Sequence, residues 1–307
     1  MSALNVRHMG NPRGVRPEWI NSVLYPFQSN FLELDGHTLH YIDEGPCNGP
    51  VLLFLHGNPM WSFEFRHLVQ ALRSAFRCIA PDLPGFGLST PEETYRFLPE
   101  EHASVIEHFI QRLELQHITM YVHDWSGPIG LGAAARHPER FRSLLIGSTW
   151  ARPDIGGVQR MSSRFLDNGF GRYLVQQHNI FIERLLNMVR AKHPLNQDEL
   201  EHYRRPFPDP VARDRYHLLN RHIVRGHDFL SRVQRELPRL SHLPVLFVWS
   251  EKDQAFPISE LRRFEKVFPH HHTVILKEAG HFGPEEAPDQ IVFALRTWWQ
   301  KQEGHNI

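Results

Sequence analysis

An aspartate stands where a predicted strand meets a predicted helix. The apolar run at 118–122 is typical of a buried strand, and the pattern at 127–136 predicts a helix. Asp124 lies between them, in the segment His123-Asp124-Trp125-Ser126-Gly127. A side chain on so tight a turn projects above the sheet edge, beside the N–H groups that open the helix, so its carboxylate can act as a nucleophile. Taken alone, the same residue could instead be the N-cap of that helix.

Four short motifs connect this aspartate with a known superfamily. They are His56-Gly57-Asn58-Pro59, Asp82-Leu83-Pro84-Gly85-Phe86-Gly87, His123-Asp124-Trp125 and Gly280-His281-Phe282. Their order and surroundings resemble the α/β-hydrolase superfamily. Asn58 combined with Trp125 resembles the haloalkane dehalogenase family in particular, whereas the segment around Asp124 by itself is shared with epoxide hydrolases. The resemblance covers about residues 30–150 and 240–300, and it implies an enzyme that hydrolyses carbon–halogen bonds.

A carboxylate can displace a halide from an sp³ carbon without a general acid, because halide is a good leaving group. The departing halide gains charge and therefore needs hydrogen-bond donors in a dry pocket. The indole N–H of Trp125 and the side-chain amide of Asn58 are two such donors, and we predict that they bind the halide. The ordinary structural roles for these residues are core packing for Trp125 and turn formation before a proline for Asn58.

The ester formed on Asp124 must then be hydrolysed, which requires a general base. The chain has 22 histidines, so a histidine alone carries little information. His281 differs from the others because it follows the last predicted strand and precedes Pro284, which is well suited to begin a helix. A histidine in this place, late in the chain and after the aspartate, matches the superfamily order. We predict that His281 is the base and interpret His270–His272 as a solvated turn that leads into a strand.

A carboxylate should orient the base and stabilise its protonated form. By the superfamily pattern it follows either the strand ending near Gly147 or the strand ending near Trp249. The first position offers no acid before Asp154, whereas the second offers Glu251 and Asp253. We choose Asp253 and keep Glu251 and Asp154 as alternatives. Together with the aspartate nucleophile and the Asn-Trp pair, this choice resembles the third haloalkane dehalogenase subfamily.

Three further roles follow from the resemblance. The backbone N–H groups of Asn58 and Trp125 are predicted to form the oxyanion hole for the tetrahedral intermediate. Asp82 is interpreted as a structural residue of its turn. Ser126 departs from the more common glycine after the tryptophan, and it is small enough to fit the turn.

Two other interpretations stay open at this point. An epoxide hydrolase would need acids that protonate an alkoxide, by family pattern two tyrosines of the cap, and Tyr173, Tyr203 and Tyr216 are available there. A hydrolase-like binding protein without turnover would bind a ligand and leave it unchanged, although the complete set of nucleophile, base and acid argues against it. A luciferase-like oxygenase on the same scaffold is a more distant possibility.

Strand and helix patterns alternate along most of the chain and must position these residues. Strands are predicted at 31–34, 39–42, 51–55, 77–80, 118–122, 141–147, 244–249 and 273–276, and helices at 63–73, 100–115, 127–136, 258–267 and 284–300. This alternation predicts an α/β fold of the α/β-hydrolase type, with a mostly parallel eight-stranded sheet flanked by helices. Residues 150–240 show helix patterns without a convincing strand. We therefore predict an N-terminal leader at 1–29, a core domain at 30–149 and 241–307, and an inserted helical cap domain at 150–240.

Composition narrows the function further. The chain has 307 residues and no formal net charge, but residues 150–240 hold 16 Lys+Arg against 10 Asp+Glu, a local excess of six positive charges. A solvated arginine-rich face, an oligomer contact or attraction to an anionic surface would each account for this excess. No nucleic-acid motif, metal-ligand spacing, signal peptide or membrane-spanning run is present. We expect a cytoplasmic enzyme without cofactor or metal, acting on a small apolar halogenated substrate and water, with self-association as an open possibility.

Overall fold

An eight-stranded sheet forms the centre of the protein. The computed structural model describes residues 14–188, 190–191 and 194–304. The strands follow the order β1-β2-β4-β3-β5-β6-β7-β8; β1 and β2 pair antiparallel, and the strands from β4 to β8 pair parallel. The predicted α/β-hydrolase architecture is confirmed. The bounds of the strands are β1 Asn30–Leu34, β2 His37–Glu44, β3 Val51–Leu55, β4 Arg77–Pro81, β5 Ile118–Asp124, β6 Phe141–Thr149, β7 Val245–Ser250 and β8 His271–Leu276.

Helices flank the sheet in two groups. One group joins α1, α11 and α12, and the other joins α2, α3 and α9. Every residue of β5 is buried, as a strand covered on both faces requires. The bounds of the helices are α1 Arg66–Leu72, α2 Pro99–Arg112, α3 Ser126–Ala134, α4 Gly157–Asp167, α5 Gly169–His178, α6 Leu186–Met188, α7 Gln197–Arg204, α8 Pro210–Arg225, α9 His227–Glu236, α10 Ile258–Val267, α11 Gly283–Glu286 and α12 Pro288–Gly304, with a π-helical turn at Phe181–Leu185 and 3₁₀ turns at Ser62–Phe65, Pro138–Arg140 and Leu237–Leu240.

Helices α4 to α9 lie between β6 and β7 in the chain, and the described residues of this segment form no strand. Helix α8 packs against α4 and α5 in a small helical layer, while α9 packs against α3 of the core. Many arginines between β6 and β7 pair with acids of the same segment, as Arg204 does with Glu183 and Arg225 with Asp167. These pairs favour the solvated-face interpretation of its basic composition.

The chain preceding β1 packs on the core where it is described. Residues 1–13 of the predicted leader lie outside the described residues. Tyr25 and Phe27 are buried, and the Tyr25 hydroxyl lies 2.6 Å from Ser62 Oγ. The ring of Tyr25 also contacts that of Trp61, with centroids 5.1 Å apart. Among the described residues, no helix is both long and apolar enough to cross a membrane.

Candidate active site

The turn after β5 holds Asp124 in a strained conformation. Asp124 ends the strand with φ +50°, in the left-handed region that non-glycine residues rarely adopt. Two glycines make the close packing around it possible. A Cβ atom at Gly57 would lie 2.6 Å from the Asp124 Cβ, and one at Gly127 would lie 1.8 Å from Thr149 Oγ1. The Thr149 hydroxyl in turn donates to the Asp124 carbonyl at 2.5 Å, so the turn is fixed from both sides.

Ser126 ties this turn to the neighbouring strand. Its buried Oγ accepts from the His123 N–H at 2.8 Å, and its single proton faces the carbonyls of Leu55 at 2.5 Å and His123 at 2.7 Å. Leu55 is the last residue of β3, which precedes the predicted halide and oxyanion residue Asn58. A glycine at position 126 could make none of these contacts. The departure from the common glycine therefore adds a specific link between the two loops of the site.

The structure brings the predicted nucleophile, base and acid together. His281 Nδ1 lies 2.9 Å from Asp253 Oδ2, and its Nε2 lies 3.5 Å from Asp124 Oδ2. All three residues are buried. Asp253 Oδ1 accepts the N–H groups of Ala255 and Phe256 at 2.7 and 3.1 Å, which fixes the carboxylate that holds the histidine ring.

The charges of this group shift two pKa values in opposite directions. Burial opposes protonation of His281, but the Asp253 carboxylate and the contact with Asp124 outweigh it and hold the pKa of His281 well above its usual value. Burial likewise opposes ionisation of Asp253, yet the adjacent His281 and the two backbone N–H groups lower its pKa. Both shifts favour the charged forms of the pair, a protonated His281 ring beside an ionised Asp253.

The alternative acids lie elsewhere. Asp154 is exposed and pairs with Arg160 at 3.2 Å, and Glu251 is exposed beside the site. Asp82 is buried; its carboxylate accepts the Ser62 and Leu88 N–H groups at 2.8 and 2.9 Å and lies 2.8 Å from His40. These contacts fit the structural role predicted for Asp82.

A second buried pair lies behind the nucleophile. His123 Nε2 donates to the His281 carbonyl at 2.8 Å, and its Nδ1 lies 3.1 Å from Glu64 Oε1. The Glu64 carboxylate is fully buried and has no partner other than His123 among the described residues. Sequence reasoning missed Glu64, although an acid inside the aromatic run Trp61-Ser62-Phe63-Glu64-Phe65 was a usable signal.

A cavity of about 210 Å³ opens above the nucleophile. Asn58, Asp124, Trp125 and His281 all face it, so the structure groups these predicted residues. Its walls are mainly apolar and include Leu166, Phe181, Ile223, Phe256 and Phe282, while its polar lining comes from Gln159, Ser162, Ser163, Asn220 and Gln254. Such a lining suits an apolar substrate with a few polar contacts.

The two predicted halide donors differ in their surroundings. Trp125 is buried edge-to-face against Trp150, with centroids 4.8 Å apart, and its Nε1–H has no partner among the described residues. The Asn58 main-chain N–H donates to Asp124 Oδ1 at 2.8 Å. The Asn58 side-chain amide donates to the Tyr216 carbonyl and to Asn220 Oδ1, each at 3.1 Å.

This fold and cavity place the chain in a large enzyme class. The sequence model described as "alpha/beta hydrolase fold" matches residues 50–288. A haloalkane dehalogenase structure from Bradyrhizobium elkanii superposes with a TM-score of 0.83, covering 91% of this chain and 98% of that one at 23% identity. The chain belongs to the α/β-hydrolase fold family.

Two curated relatives narrow the assignment. Haloalkane dehalogenase 2 of Mycobacterium tuberculosis is 36% identical over 274 residues, which cover 89% of this chain and 95% of the relative. A cis-3-alkyl-4-alkyloxetan-2-one decarboxylase of Shewanella oneidensis is 31% identical over 290 residues, covering 91% of each chain. Within the α/β hydrolases, the chain belongs to the haloalkane dehalogenase family, and the decarboxylase is a further full-length relative.

Proposed function

We propose that the protein hydrolyses halogenated aliphatic compounds, converting a 1-haloalkane and water into a primary alcohol, halide and a proton. Asp124 is the nucleophile, His281 the general base and Asp253 the acid that orients it. One observation supports this proposal above the others: the contacting side chains of Asp253, His281 and Asp124 lead to a mainly apolar cavity. The indole N–H of Trp125 lies at the same cavity and has no partner in the part of the chain that the structure describes.

The first step joins the substrate to the protein. An oxygen of the Asp124 carboxylate attacks the carbon that carries the halogen, the carbon–halogen bond breaks, and its electron pair leaves with the halide. The product is an alkyl ester on Asp124. Trp125 Nε1–H, held in the buried cavity, donates to the halide as its charge develops. The Asn58 N–H at 2.8 Å keeps the carboxylate in place for attack.

The second step releases the alcohol. Esterification removes the charge of Asp124, which is one of the causes that raise the pKa of His281. The pKa of the ring therefore falls as the ester forms, so the ring releases its proton to solvent, and the neutral His281 then takes a proton from water, whose oxygen attacks the ester carbonyl. The main-chain N–H groups of Asn58 and Trp125 stabilise the oxyanion. Cleavage regenerates the Asp124 carboxylate and the protonated ring and releases the alcohol, so the one net proton is the one given up after ester formation.

The tyrosines of the cap do not support the epoxide hydrolase interpretation. The Tyr203 hydroxyl donates to Glu285 and that of Tyr216 to Asn179 Oδ1, while Tyr173 is half exposed. None of the three is among the residues that line the described cavity. A ring-opening alkoxide above Asp124 would therefore find no phenol donor close to it.

Lactone decarboxylation is a second candidate, favoured by the Shewanella relative. The name of that relative denotes a four-membered lactone with two alkyl groups. Attack of Asp124 on the sp³ ring carbon that bears the ring oxygen would break that carbon–oxygen bond and expel a carboxylate in place of a halide, as in the first step proposed above. Loss of carbon dioxide from that carboxylate would then form the alkene and expel Asp124 as a free carboxylate. The apolar walls of the cavity suit the alkyl groups of either substrate.

The two candidates are separated by one panel of substrates. Brominated, chlorinated and iodinated alkanes, matched epoxides and a cis-dialkyl β-lactone are incubated with the protein and with Asp124→Asn. We expect the natural protein to release halide and alcohol from the haloalkanes, and Asp124→Asn to release neither. If the lactone yields carbon dioxide and an alkene while no haloalkane releases halide, the result would refute dehalogenation and favour lactone decarboxylation.

The His281→Ala variant tests the two-step scheme. It should release halide once and keep the alkyl group as an added mass on the intact protein, because hydrolysis has lost its base. A variant that never accumulates the adduct with any good substrate would refute the scheme or the base assignment. The cytoplasmic location, the absence of a cofactor and the possible self-association stay predictions.

A further inference from the structure

A buried pair of side chains connects the three loops of the site. Glu64 lies on the 3₁₀ turn Ser62–Phe65, which follows the loop of Asn58. His123 directly precedes the nucleophile on β5, and His281 lies on the loop after β8. Glu64 and His123 are both buried, and neither is among the residues that line the described cavity. Any contribution of the pair to catalysis must therefore act through the residues beside it.

The His123 ring is oriented through both of its nitrogens. The His281 carbonyl can only accept a hydrogen bond, so His123 Nε2, which lies 2.8 Å away, carries a hydrogen and donates it. On the other side of the ring, Nδ1 lies 3.1 Å from Glu64 Oε1. A half turn of the ring would place carbon atoms opposite both oxygens. Glu64 therefore favours the orientation in which His123 bonds to the loop of the base.

The loop of the base is held through its main chain at three consecutive residues. The His281 carbonyl accepts from His123, and the rings of the two histidines lie with centroids 4.9 Å apart. The N–H groups of Gly280 and Phe282 donate to the Glu286 carboxylate at 3.1 and 3.3 Å. Because the carbonyl belongs to the base itself, a shift at this point would move the His281 ring relative to the nucleophile.

The burial of Glu64 is costly for a residue that only fills space. Its carboxyl group has no partner other than His123 within the described part of the chain. Burying a carboxyl group with a single partner costs free energy, and a leucine at this position would avoid that cost. A titratable group buried beside reacting residues is typical of a functional site.

We infer that His123 is a positioning residue for the ester-hydrolysis step, and that Glu64 holds His123 in the orientation this requires. The inference rests on the proposed dehalogenation and adds two residues that do not touch the substrate. Ester formation needs the Asp124 carboxylate, which the Asn58 N–H holds independently of this pair. Hydrolysis needs the His281 ring to reach a water molecule beside the ester carbonyl. The second step alone should therefore depend on Glu64 and His123.

Rapid-quench kinetics of the full chain with 1-bromobutane separates the two steps. The burst of bromide reports ester formation, and alcohol release together with the added mass on the intact protein reports hydrolysis. His123→Leu removes the donor and should slow hydrolysis about 10- to 100-fold, so that the alkyl-protein accumulates, while the burst rate stays within about threefold of the natural rate. His123→Gln places an amide N–H close to the position of Nε2 and should restore hydrolysis to within about threefold of the natural rate.

The role of Glu64 is separated by a double-mutant cycle. Glu64→Leu should slow hydrolysis about 3- to 10-fold, because the His123 ring keeps its Nε2–H but loses the group that orients it. Glu64→Gln can donate to Nδ1 and should retain the natural rate. Glu64→Leu should add little to His123→Leu. The control His102→Leu removes a different buried histidine, which bonds Tyr95, and should leave both steps unchanged.

The outcomes distinguish this inference from the proposed function. Hydrolysis at the natural rate in folded His123→Leu would overturn the inference and leave dehalogenation intact. Equal slowing of both steps would overturn it as well, since the pair would then support the fold of the whole site. If His123→Leu does not fold, the comparison of Glu64→Leu with Glu64→Gln decides in the same way, because only the leucine removes the group that faces Nδ1. A natural protein that releases no bromide from any bromoalkane would refute the proposed function and the inference with it.

Discussion

Replacing Ser126 by alanine should weaken the fold measurably. The buried hydroxyl accepts one N–H at 2.8 Å, and its single proton is shared between the carbonyls of Leu55 and His123. Its loss removes two hydrogen bonds worth about 1 kcal/mol each and leaves the buried His123 N–H unpaired, which costs about 1–3 kcal/mol. Because the costs overlap, we expect a loss of about 2–4 kcal/mol in the free energy of unfolding.

The expected change is large enough to measure by calorimetry and urea unfolding. The unfolding entropy of a 307-residue chain is about 0.6 kcal/mol per kelvin near 60 °C, so Tm should fall by roughly 3–6 °C. Ser126→Gly should lose slightly more, because glycine also adds unfolded-state entropy. Ser74→Ala, at an exposed serine, is the control. A Tm for Ser126→Ala within about 1 °C of the natural protein, well short of the expected fall, would refute the bond between this turn and β3.

Three further changes follow from the site and its surroundings. Trp125→Phe should slow single-turnover ester formation about 10²- to 10³-fold, measured by quenched-flow halide release, because one preorganised donor is lost; an unchanged rate would contradict its role. In Asp253→Asn, the difference in unfolding free energy from the natural protein should be largest at mildly acidic pH, above the ordinary pKa of an aspartate and below that of a histidine. It should vanish as the pH falls through the lowered pKa of Asp253 or rises through the raised pKa of His281, and a difference independent of pH in urea titrations would be the contrary result. Arg66→Met should destabilise the fold by about 3–5 kcal/mol in urea unfolding, since it leaves buried Glu285 without its cation. Adding Glu285→Gln should recover part of that loss, and a double variant no more stable than the single one would speak against this cause.

The sheet was the most predictable part of the molecule. Continuous apolar runs such as 51–55 and 118–122 identify strands covered on both faces, and their alternation with helices leaves few topologies. The predicted helix at 284–300 is wrong in one respect. The chain forms Gly283–Glu286 and Pro288–Gly304 separately, because Pro288 disfavours helical geometry at the preceding residue. His271 and His272, interpreted as a solvated turn, are exposed residues of β8.

The core of the site was predictable because its residues occur in short motifs at strand ends. Contacts between residues far apart in the sequence could not be predicted. Asn58 bonds Asn220, which lies 162 positions away. The pattern of polar and apolar residues along a helix does not show which of its side chains faces the cavity. The function of Ser126 was similarly hidden, because its acceptor on β3 is a main-chain carbonyl that any residue could supply.

The bonds from Asn58 to α8 also constrain how ligands pass the cavity. An outward shift of that helix would take both acceptors away at once, since they lie one helical turn apart. The loosened amide belongs to the same residue whose N–H touches the nucleophile. A ligand that entered by displacing α8 would therefore break these two bonds at each passage, whereas one that entered between α4 and the loop after β7 would leave them intact.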